Sequence, residues 1–291
     1  MTQPHVHVYG VDYSPWVQAV LLGLHEKGIP HTLRTIPPLA VFAKSGVMMP
    51  AASIGDAPWR LESTDILHEL GYDRVSPDDL RELYAAWRGV FHRADHISWF
   101  FGNFSLCRDQ SPSLPARLRN HFLRSFSVLY FYLLIRFTVL SRLQPDPENF
   151  ADQFVYWEKT LREGKGPFLD GDEPGIRDML LFGIIQCHCS VLVPPVSAMQ
   201  REARLSSLRA WIGLMQGRFA DYPHLYSGVY FEPHAPAPEP STPVERNVFW
   251  LGAACMWLAL PITLPMILFL ALTARRTGPN RAGGAGDEKG R

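Results

Sequence analysis

The first seventy residues alternate between two kinds of hydrophobic spacing, and this alternation limits the folds that the chain can adopt. Residues 5–9 change type with a period of two, as a strand does, and residues 16–27 have the pattern of a helix. Residues 31–36 and 51–61 again read as extended chain, and residues 64–70 as a helix. The order β-α-β followed by β-β-α predicts an α+β unit.

Composition narrows the class of protein. The chain has 291 residues, enough for two modest domains. Its 28 Lys and Arg balance its 28 Asp and Glu, so it lacks the electrostatic footprint of a nucleic-acid-binding protein. Four scattered cysteines are too few for a disulfide framework and favour a reducing compartment. The N-terminus has no basic cluster and no long apolar run, so we expect no secretory signal.

The C-terminal part contains a long apolar run. Residues 248–274 carry no charge, and Arg275 and Arg276 close the run. A bilayer core of about 30 Å needs about 20 apolar residues in a helix, and this run is longer. Trp250 and Trp257 lie towards its N-terminal side, a position that suits a membrane interface. The alternative, a buried core helix, is disfavoured because a proline-rich spacer precedes the run. We therefore predict a single transmembrane helix.

Breaks in the pattern predict the domain boundaries. Residues 1–74 form the α+β unit, and Ser76 caps a helix that opens a mainly helical second domain. We place that domain at residues 77–232, a proline-rich linker at 233–247, the transmembrane segment at 248–274 and a disordered tail at 275–291.

A serine-proline pair follows the first strand. Ser14 precedes Pro15, which is favoured at the first position of a helix. A serine at that place is first of all a helix cap, whose oxygen accepts a backbone N–H. The same geometry can instead stabilise a bound thiolate, because the hydroxyl and the positive end of the helix both favour negative charge. The sequence leaves both interpretations open.

Two further pairs lie at the ends of predicted elements. Met49-Pro50 precedes an extended segment, and its peptide bond can be cis or trans. Glu62-Ser63 lies at a helix start, where an acid and a hydroxyl are good capping residues. Functionally, this pair could hold an α-amino group and an α-carboxylate. Capping remains the simpler explanation of the pair.

Four stretches together resemble soluble glutathione transferases. Residues 13–20 with 25–30 resemble the first strand-helix unit of that family, and residues 61–67 its motif for the glutathione backbone. Residues 168–178 are similar to the loop and start of the core helix in its all-helical second domain, and residues 211–223 to its last helices. The resemblance implies a thioredoxin-like domain followed by an all-α domain of the glutathione transferase type.

The resemblance also implies a site and a co-substrate. Glutathione would be bound with Ser14 facing its sulfur as the catalytic residue. Met49, before Pro50, would offer backbone hydrogen bonds to the cysteinyl part, and Glu62 with Ser63 would hold the γ-glutamyl part. The acceptor pocket would be lined by the aromatic side chains Tyr13, Trp16, Trp99, Phe101 and Phe104.

The sequence departs from the family pattern at two places. Gln18 stands where the family usually carries a basic residue soon after the Ser-Pro pair. Gly175 stands three residues before Asp178, where Ser or Thr usually opens the core helix, so we expect half of a capping box to be missing. We expect the fold to tolerate both departures. Efficient catalysis follows less firmly from the sequence than the fold does.

Other candidate chemistry is disfavoured. Tyr13 could donate to the thiolate in place of Ser14, but the tyrosine forms of the family lack this Ser-Pro arrangement. Cys187-His188-Cys189 lies in an apolar helical pattern, where adjacent residues point in different directions, so core packing is expected. The chain has no CxxC motif, which argues against a thiol-disulfide oxidoreductase. We expect no metal site.

The leading hypothesis is a membrane-anchored glutathione transferase-like enzyme. It would conjugate or reduce lipophilic electrophiles with glutathione thiolate, and its partners would be glutathione, a hydrophobic electrophile and the lipid bilayer, with a homodimer left open. The alternative is a non-catalytic glutathione-binding or protein-interaction adaptor at a membrane. The soluble domains are expected in the cytosol, with either a single-pass anchor or a re-entrant hairpin bending at Pro261 and Pro265.

Overall fold

A computed structural model describes residues 4–87, 104–109, 111–142, 149–190, 194–226 and 240–277. The first domain contains a four-stranded mixed sheet with the strand order β2-β1-β3-β4. Strand β1 (Val6–Tyr9) pairs in parallel with β2 (His31–Arg34) and antiparallel with β3 (Ala51–Ile54), which pairs antiparallel with β4 (Arg60–Leu61). This is the sheet of a thioredoxin-like domain.

Three helices complete the first domain. Helix α1 (Pro15–Glu26) is the parallel crossover from β1 to β2, and its apolar residues are buried along almost its whole length. Helix α2 (Leu39–Ser45) precedes β3, and α3 (Ser63–Glu69) follows β4 directly. The predicted strands and helices are confirmed in their order, and α2 is an additional helix in a segment for which the sequence analysis predicted no element.

The second domain is helical in its described part. It comprises α4 (Pro77–Ala86), α5 (Leu114–Arg142), α6 (Val155–Glu163), α7 (Ile176–Ser190), α8 (Pro194–Arg201) and α9 (Ser206–Arg218), with short 3-10 helices at Phe150–Phe154 and Ala203–Leu205. The thioredoxin-like plus all-helical fold class is confirmed. The part of the predicted helix at 80–104 that holds Trp99 and Phe101 lies outside the described residues.

Helix α7 is the core of the second domain. Every residue from Asp178 to Ser190 is buried, and α7 packs along α1. At the crossing, a Cβ on Gly183 would lie 2.5 Å from the Pro15 carbonyl oxygen and 2.9 Å from the Ala19 nitrogen, so only glycine allows this approach. The contact fixes the start of α1 against the second domain.

The C-terminal helix α10 runs from Pro243 to Thr277. It is the one described helix long and apolar enough to cross a membrane, because its stretch Pro243–Met266 contains a window of 18 residues with a mean hydropathy of 1.7. It begins five residues before the predicted start at 248, and it extends into the segment that was expected to be a disordered tail. The earlier start has a physical cause, because Thr242 and Glu245, within the predicted proline-rich linker, form a capping box at the start of the helix.

Candidate functional site

The sheet brings the three residue pairs to one edge. In the ladder of β1 and β3, Tyr9 pairs with Ala51, and Ala51 pairs in turn with Leu61 of β4. The loop after β1, the residues before β3 and the residues after β4 therefore leave the sheet at the same end. Ser14, Met49-Pro50 and Glu62-Ser63 lie on these three connections.

Ser14 is the N-cap residue of α1 by position, but its side chain does not cap the helix. Its backbone is extended, with φ −80° and ψ 130°, and its hydroxyl makes no capping hydrogen bond. Its backbone N–H donates to the Val11 carbonyl at 3.0 Å, and its carbonyl accepts from Gln18 at 2.9 Å. Ser14 is only 9% exposed. The hydroxyl at the positive end of this 12-residue helix is thus uncommitted among the described residues.

The Met49-Pro50 peptide bond is cis, which decides the isomer that the sequence left open. Pro50 is buried and Met49 is half-buried, directly before the first residue of β3. The Met49 backbone makes no hydrogen bond to another described residue. Its polar groups therefore lie uncommitted at the sheet edge.

Glu62 has an unusual backbone conformation at the start of α3. Its φ of 74° and ψ of 117° make it the one non-glycine residue with positive φ in the described chain. Such a conformation costs on the order of 1–3 kcal/mol and persists only where the surroundings enforce it. Its side chain is exposed and makes no capping hydrogen bond. Ser63, the next residue, is 6% exposed.

The predicted acceptor residues separate into two aromatic groups. The Tyr13 ring packs edge-on against Phe104, with centroids 5.8 Å apart, whereas Trp16 packs against Tyr84 at 5.1 Å and Trp87 at 5.9 Å. Phe104 is only 4% exposed. Burial raises the pKa of the Tyr13 phenol above its ordinary value, so this reserve candidate stays protonated at neutral pH.

A buried arginine faces Tyr13, and the sequence analysis did not include it among the candidate site residues. The Arg124 guanidinium, on α5, lies 5.2 Å from the Tyr13 ring centroid and donates to the Cys107 carbonyl at 2.7 Å. Among the described carboxylates, the nearest is Asp109 at 3.9 Å, and Arg124 is 6% exposed. Arg124 interrupts the apolar segment around it, and this is the sequence signal by which it could have been found.

Gln18 explains one departure from the family pattern. Its amide donates to the carbonyls of Asp12 and of His224, the latter at 3.1 Å, and its amide oxygen accepts from the Tyr222 hydroxyl at 2.8 Å. The side chain is fully buried. His224 also contacts the Asp12 carboxylate at 3.1 Å. Gln18 therefore joins the loop that carries Ser14 to the end of the second domain, where a charged side chain would lack this set of partners.

The core-helix capping box lacks its hydroxyl half, as expected, but an acceptor from outside the helix takes its place. The Asp178 carboxylate accepts from the Gly175 N–H at 3.0 Å, as the box requires. The missing hydroxyl is replaced by Asp170, whose carboxylate accepts from the Arg177 N–H at 2.9 Å. Asp178 also accepts from the Leu169 N–H at 2.9 Å and the Trp211 indole at 2.8 Å. The prediction of a half-missing box is therefore confirmed, and the sequence pattern missed only the acceptor that Asp170 supplies from outside the helix.

The Cys187-His188-Cys189 triplet packs in the core, as expected. All three side chains are at most 5% exposed, and His188 bonds the Ala86 carbonyl at 3.0 Å. Within the described ranges, no group of three or more His, Cys, Asp and Glu side chains is arranged to hold a metal ion.

A shallow cavity of about 230 Å³ lies next to the edge, between α2 and β4. Its lining is apolar apart from the side chains of Lys44 and Ser45, and it includes Trp59 and Leu61. Leu61 directly precedes Glu62, so the cavity adjoins the unusual turn. Lys44 gives this side of the edge a positive charge.

Comparison with known proteins gives likenesses at low identity only. No family model and no curated protein matches the chain. Among solved structures, a glutathione S-transferase from Pseudomonas fluorescens is 17% identical, with a TM-score of 0.42, over 72% of this chain and 94% of that one. Gtt2 from Saccharomyces cerevisiae is 16% identical, with a TM-score of 0.45, over 75% and 100%. A theta class glutathione S-transferase from Xanthomonas axonopodis with glutathione bound is 16% identical, with a TM-score of 0.40, over 76% and 95%.

Proposed function

We propose that the chain binds glutathione at this sheet edge and joins it, through its sulfur, to lipophilic electrophiles at a membrane. The observation that carries the proposal is the uncommitted hydroxyl of Ser14 at the positive end of α1. If the Ser14 hydroxyl capped α1, this serine would be explained without any ligand. The hydroxyl makes no capping hydrogen bond, so that explanation does not apply. The cis Met49-Pro50 bond and the Glu62-Ser63 turn lie on connections that leave the sheet at the same edge.

Ser14 stabilises the thiolate of glutathione. A free thiol has a pKa of about 8.5, and the N-terminus of a helix lowers it. The Ser14 hydroxyl donates a hydrogen bond to the sulfur, and the thiol proton passes to solvent. The sulfur then attacks an electrophilic carbon, so that a carbon-sulfur bond forms while the leaving group departs with its electron pair. With a peroxide as electrophile, the same thiolate attacks oxygen, and the O–O bond breaks to release an alcohol after protonation by solvent. The resulting sulfenic acid then condenses with a second glutathione to give glutathione disulfide and water.

The remaining pairs hold the rest of the tripeptide. The Met49 backbone pairs with the cysteinyl amide, beside Pro50. The Glu62 carboxylate attracts the α-ammonium group of the γ-glutamyl residue, and the Ser63 hydroxyl donates to its carboxylate. A strained residue such as Glu62 is typical of ligand sites, which supports this assignment. Lys44, at the neighbouring cavity, offers a charge for the second carboxylate of glutathione.

The electrophile binds on the aromatic side of the edge. Tyr13, Trp16 and Phe104 are the described candidates, and Trp99 and Phe101 stay predictions from the sequence. A bilayer concentrates apolar electrophiles and lipid peroxides, so a membrane location suits this substrate class. We place the soluble domains in the cytosol, where glutathione is available, with α10 as a single-pass anchor.

An adaptor without turnover is the second candidate. Phe104 is 4% exposed and packs on Tyr13, which leaves little open aromatic surface at that point. Gln18 also uses its side chain for the domain contact instead of supplying a charge to the site. An adaptor would keep glutathione binding as a sensor, or keep the fold alone for a protein partner.

Calorimetry and turnover on one sample separate these functions. The full chain in detergent micelles is titrated with glutathione and then assayed with a generic aromatic electrophile. Binding with turnover that Ser14→Ala removes establishes the transferase. Binding without turnover identifies the adaptor. No binding at millimolar glutathione contradicts the transferase and the glutathione sensor, and the site assignments then fall with them; the adaptor that keeps the fold for a protein partner is the function that this result supports.

A further inference from the structure

Helix α10 begins inside the second domain and not beyond a free linker. Thr242 and Glu245 form a reciprocal capping box: the Thr242 N–H donates to the Glu245 carboxylate at 2.7 Å, and the Glu245 N–H donates to the Thr242 hydroxyl at 3.3 Å. Pro243 occupies the first helical position, where a proline is favoured. The start of the apolar helix is therefore fixed by its own sequence.

The residues just before this box are bonded to the second domain. The Ser241 N–H donates to the Leu106 carbonyl at 2.9 Å, and its hydroxyl donates to the Ser105 carbonyl at 2.6 Å. Pro240 forms an isolated antiparallel bridge with Cys107. Ser241 is 5% exposed. The chain entering α10 is thus held on the domain by backbone pairing.

A buried ion pair joins the first turn of α10 to α5. The Arg117 guanidinium donates to the Glu245 carboxylate at 2.7 Å, and the two side chains are 15% and 0% exposed. Removing one partner of such a pair leaves a buried charge uncompensated, which costs far more than an exposed pair is worth. The pair therefore resists separation of the two helices.

Close helix packing continues two turns later. A Cβ on Gly252 would lie 2.3 Å from the Ser125 hydroxyl and 2.7 Å from the Phe122 carbonyl oxygen, so the helix axes approach closely at this point. Phe249 and Met256, on the same face of α10, are at most 2% exposed. Contacts advance along both helices in the same direction, so α5 and α10 run parallel.

The opposite face of α10 is apolar and uncovered. Leu251, Leu258, Ile262 and Phe269 are between 58% and 83% exposed. No charged residue interrupts positions 248–274, the run ends in two arginines, and two tryptophans lie near its start. A lipid bilayer is the partner that fits an apolar stripe with aromatic and basic borders. About 18 residues follow Met256 within the run, or about 27 Å of helix, close to the thickness of a bilayer core.

We propose that α10 is a docked membrane helix, with one face packed on α5 and the other on lipid, so that the enzyme is held at the bilayer in a fixed orientation and not on a flexible tether. The part of the proposal that concerns lipid rests on the membrane location proposed above. Helix α10 also contacts α2, which lies just before Met49. The docked helix therefore brings the bilayer to the side of the molecule that carries the proposed glutathione site.

A cleavage experiment distinguishes docking from tethering. A protease recognition sequence is inserted after Pro238 in the full chain, which also carries an affinity tag after Arg291. The protein is reconstituted in vesicles and cleaved, and the N-terminal fragment is followed in the pellet and in eluates from the tag after mild detergent. Docking predicts that most of this fragment stays with the tagged helix in both samples. Release of most of it on cleavage would overturn the proposal.

Two matched leucine variants test the contact itself. Gly252→Leu places bulk against Ser125 and Phe122, and we expect it to release at least half of the cleaved fragment. Ala254→Leu adds the same side chain on the exposed face and is expected to retain the fragment as the unmodified chain does. Retention by both variants would overturn docking through this face.

Membrane association is read separately, from the uncut chain. Alkaline carbonate extraction of cell membranes should leave it in the pellet. An uncut chain found in the supernatant contradicts the lipid partner, while co-elution of the fragments still decides the α5–α10 contact. Glutathione binding is read in its own assay, so failure of the enzymatic proposal cannot be mistaken for failure of docking.

Discussion

The Asp170 carboxylate occupies the space that a side chain on Gly175 would need, and it bonds the Arg177 N–H that such a side chain would otherwise cap. A Cβ on Gly175 would lie 2.3 Å from the nearer Asp170 oxygen. The same carboxylate accepts from the Arg177 backbone at 2.9 Å. The glycine is thus part of a cap with an external acceptor and is no defect of the core helix.

Gly175→Ser is therefore expected to destabilise the protein, although the family pattern would suggest the reverse. The added side chain must displace Asp170, with a loss of about 1–2 kcal/mol from the cap. Gly217→Ser is the matched control, because nothing lies within 4 Å of a Cβ at that exposed helical position. Urea unfolding should show a lower midpoint for the first variant and an unchanged or higher one for the second. A more stable Gly175→Ser would contradict this account of the cap.

Glu62→Gly should separate backbone strain from ligand binding. Glycine adopts positive φ without steric cost, so relief of strain, less the entropy that glycine adds to the unfolded chain, should raise the free energy of unfolding by about 1 kcal/mol. The loss of the carboxylate should raise the KM for glutathione about tenfold, the effect of one charged hydrogen bond. Glu62→Gln keeps the strain and loses only the charge. A glycine variant that is less stable than the glutamine variant would show that the conformation is not strained.

The contact between Gln18 and Tyr222 should appear as coupling in a double-mutant cycle. Gln18→Leu leaves the Tyr222 hydroxyl and two backbone carbonyls buried without their partner, at a cost of about 2–3 kcal/mol. Tyr222→Phe removes one of these groups. The double variant should lose at least 0.5 kcal/mol less than the sum of the single losses, as found for groups in direct contact. Strict additivity would mean that the two side chains do not interact in solution.

His188 should make stability depend on pH. Burial holds the pKa of His188 down to about 4, against an ordinary value of about 6.5 for the unfolded chain. The unfolded chain then binds more protons as pH falls from about 6.5 to about 4, and the free energy of unfolding decreases by about 3 kcal/mol over that window. Above pH 6.5 the contribution is complete. Urea midpoints measured across the window should fall less steeply for His188→Leu, and an equal slope would contradict this assignment.

The placement of the three residue pairs at one sheet edge could be predicted from the sequence because it depends on local order. Ser14, Met49-Pro50 and Glu62-Ser63 each adjoin a strand end, and the order of strands is enough to bring strand ends together. The cis bond was left open, since proline permits either isomer. No feature of the sequence predicted the positive φ of Glu62, because glutamate does not favour that conformation.

Contacts between distant segments were not predictable in the same way. Gln18 and Tyr222 lie 204 positions apart, and the type of either residue does not predict a contact with the other. The proline-rich sequence before 248 suggested a tether, whereas Thr242 and Glu245 start the helix inside the domain. The Arg117–Glu245 pair depends on the parallel packing of two helices, which periodicity alone does not give. Such features require the folded chain.

Ser14 and Ser76 form a natural pair for testing the role of the site serine. Both precede a proline at a helix start, but only Ser76 caps, accepting from the Asp79 N–H at 3.0 Å. Ser76→Ala should cost about 1 kcal/mol of stability and leave turnover intact. Ser14→Ala should leave stability within about 0.5 kcal/mol and lower kcat about 100-fold, as the loss of one donor to a developing charge does. A destabilised Ser14→Ala would restore the capping interpretation.

The most direct test of the central claim is the ionisation of bound glutathione. The ultraviolet absorbance of the thiolate is titrated against pH for the full chain saturated with glutathione and for its Ser14→Ala variant. We predict a pKa at least one unit below the value of about 8.5 for a free thiol, and a return towards that value in the variant. An unshifted pKa in the unmodified chain, or an equal shift in both proteins, would contradict the assignment of Ser14 to the sulfur.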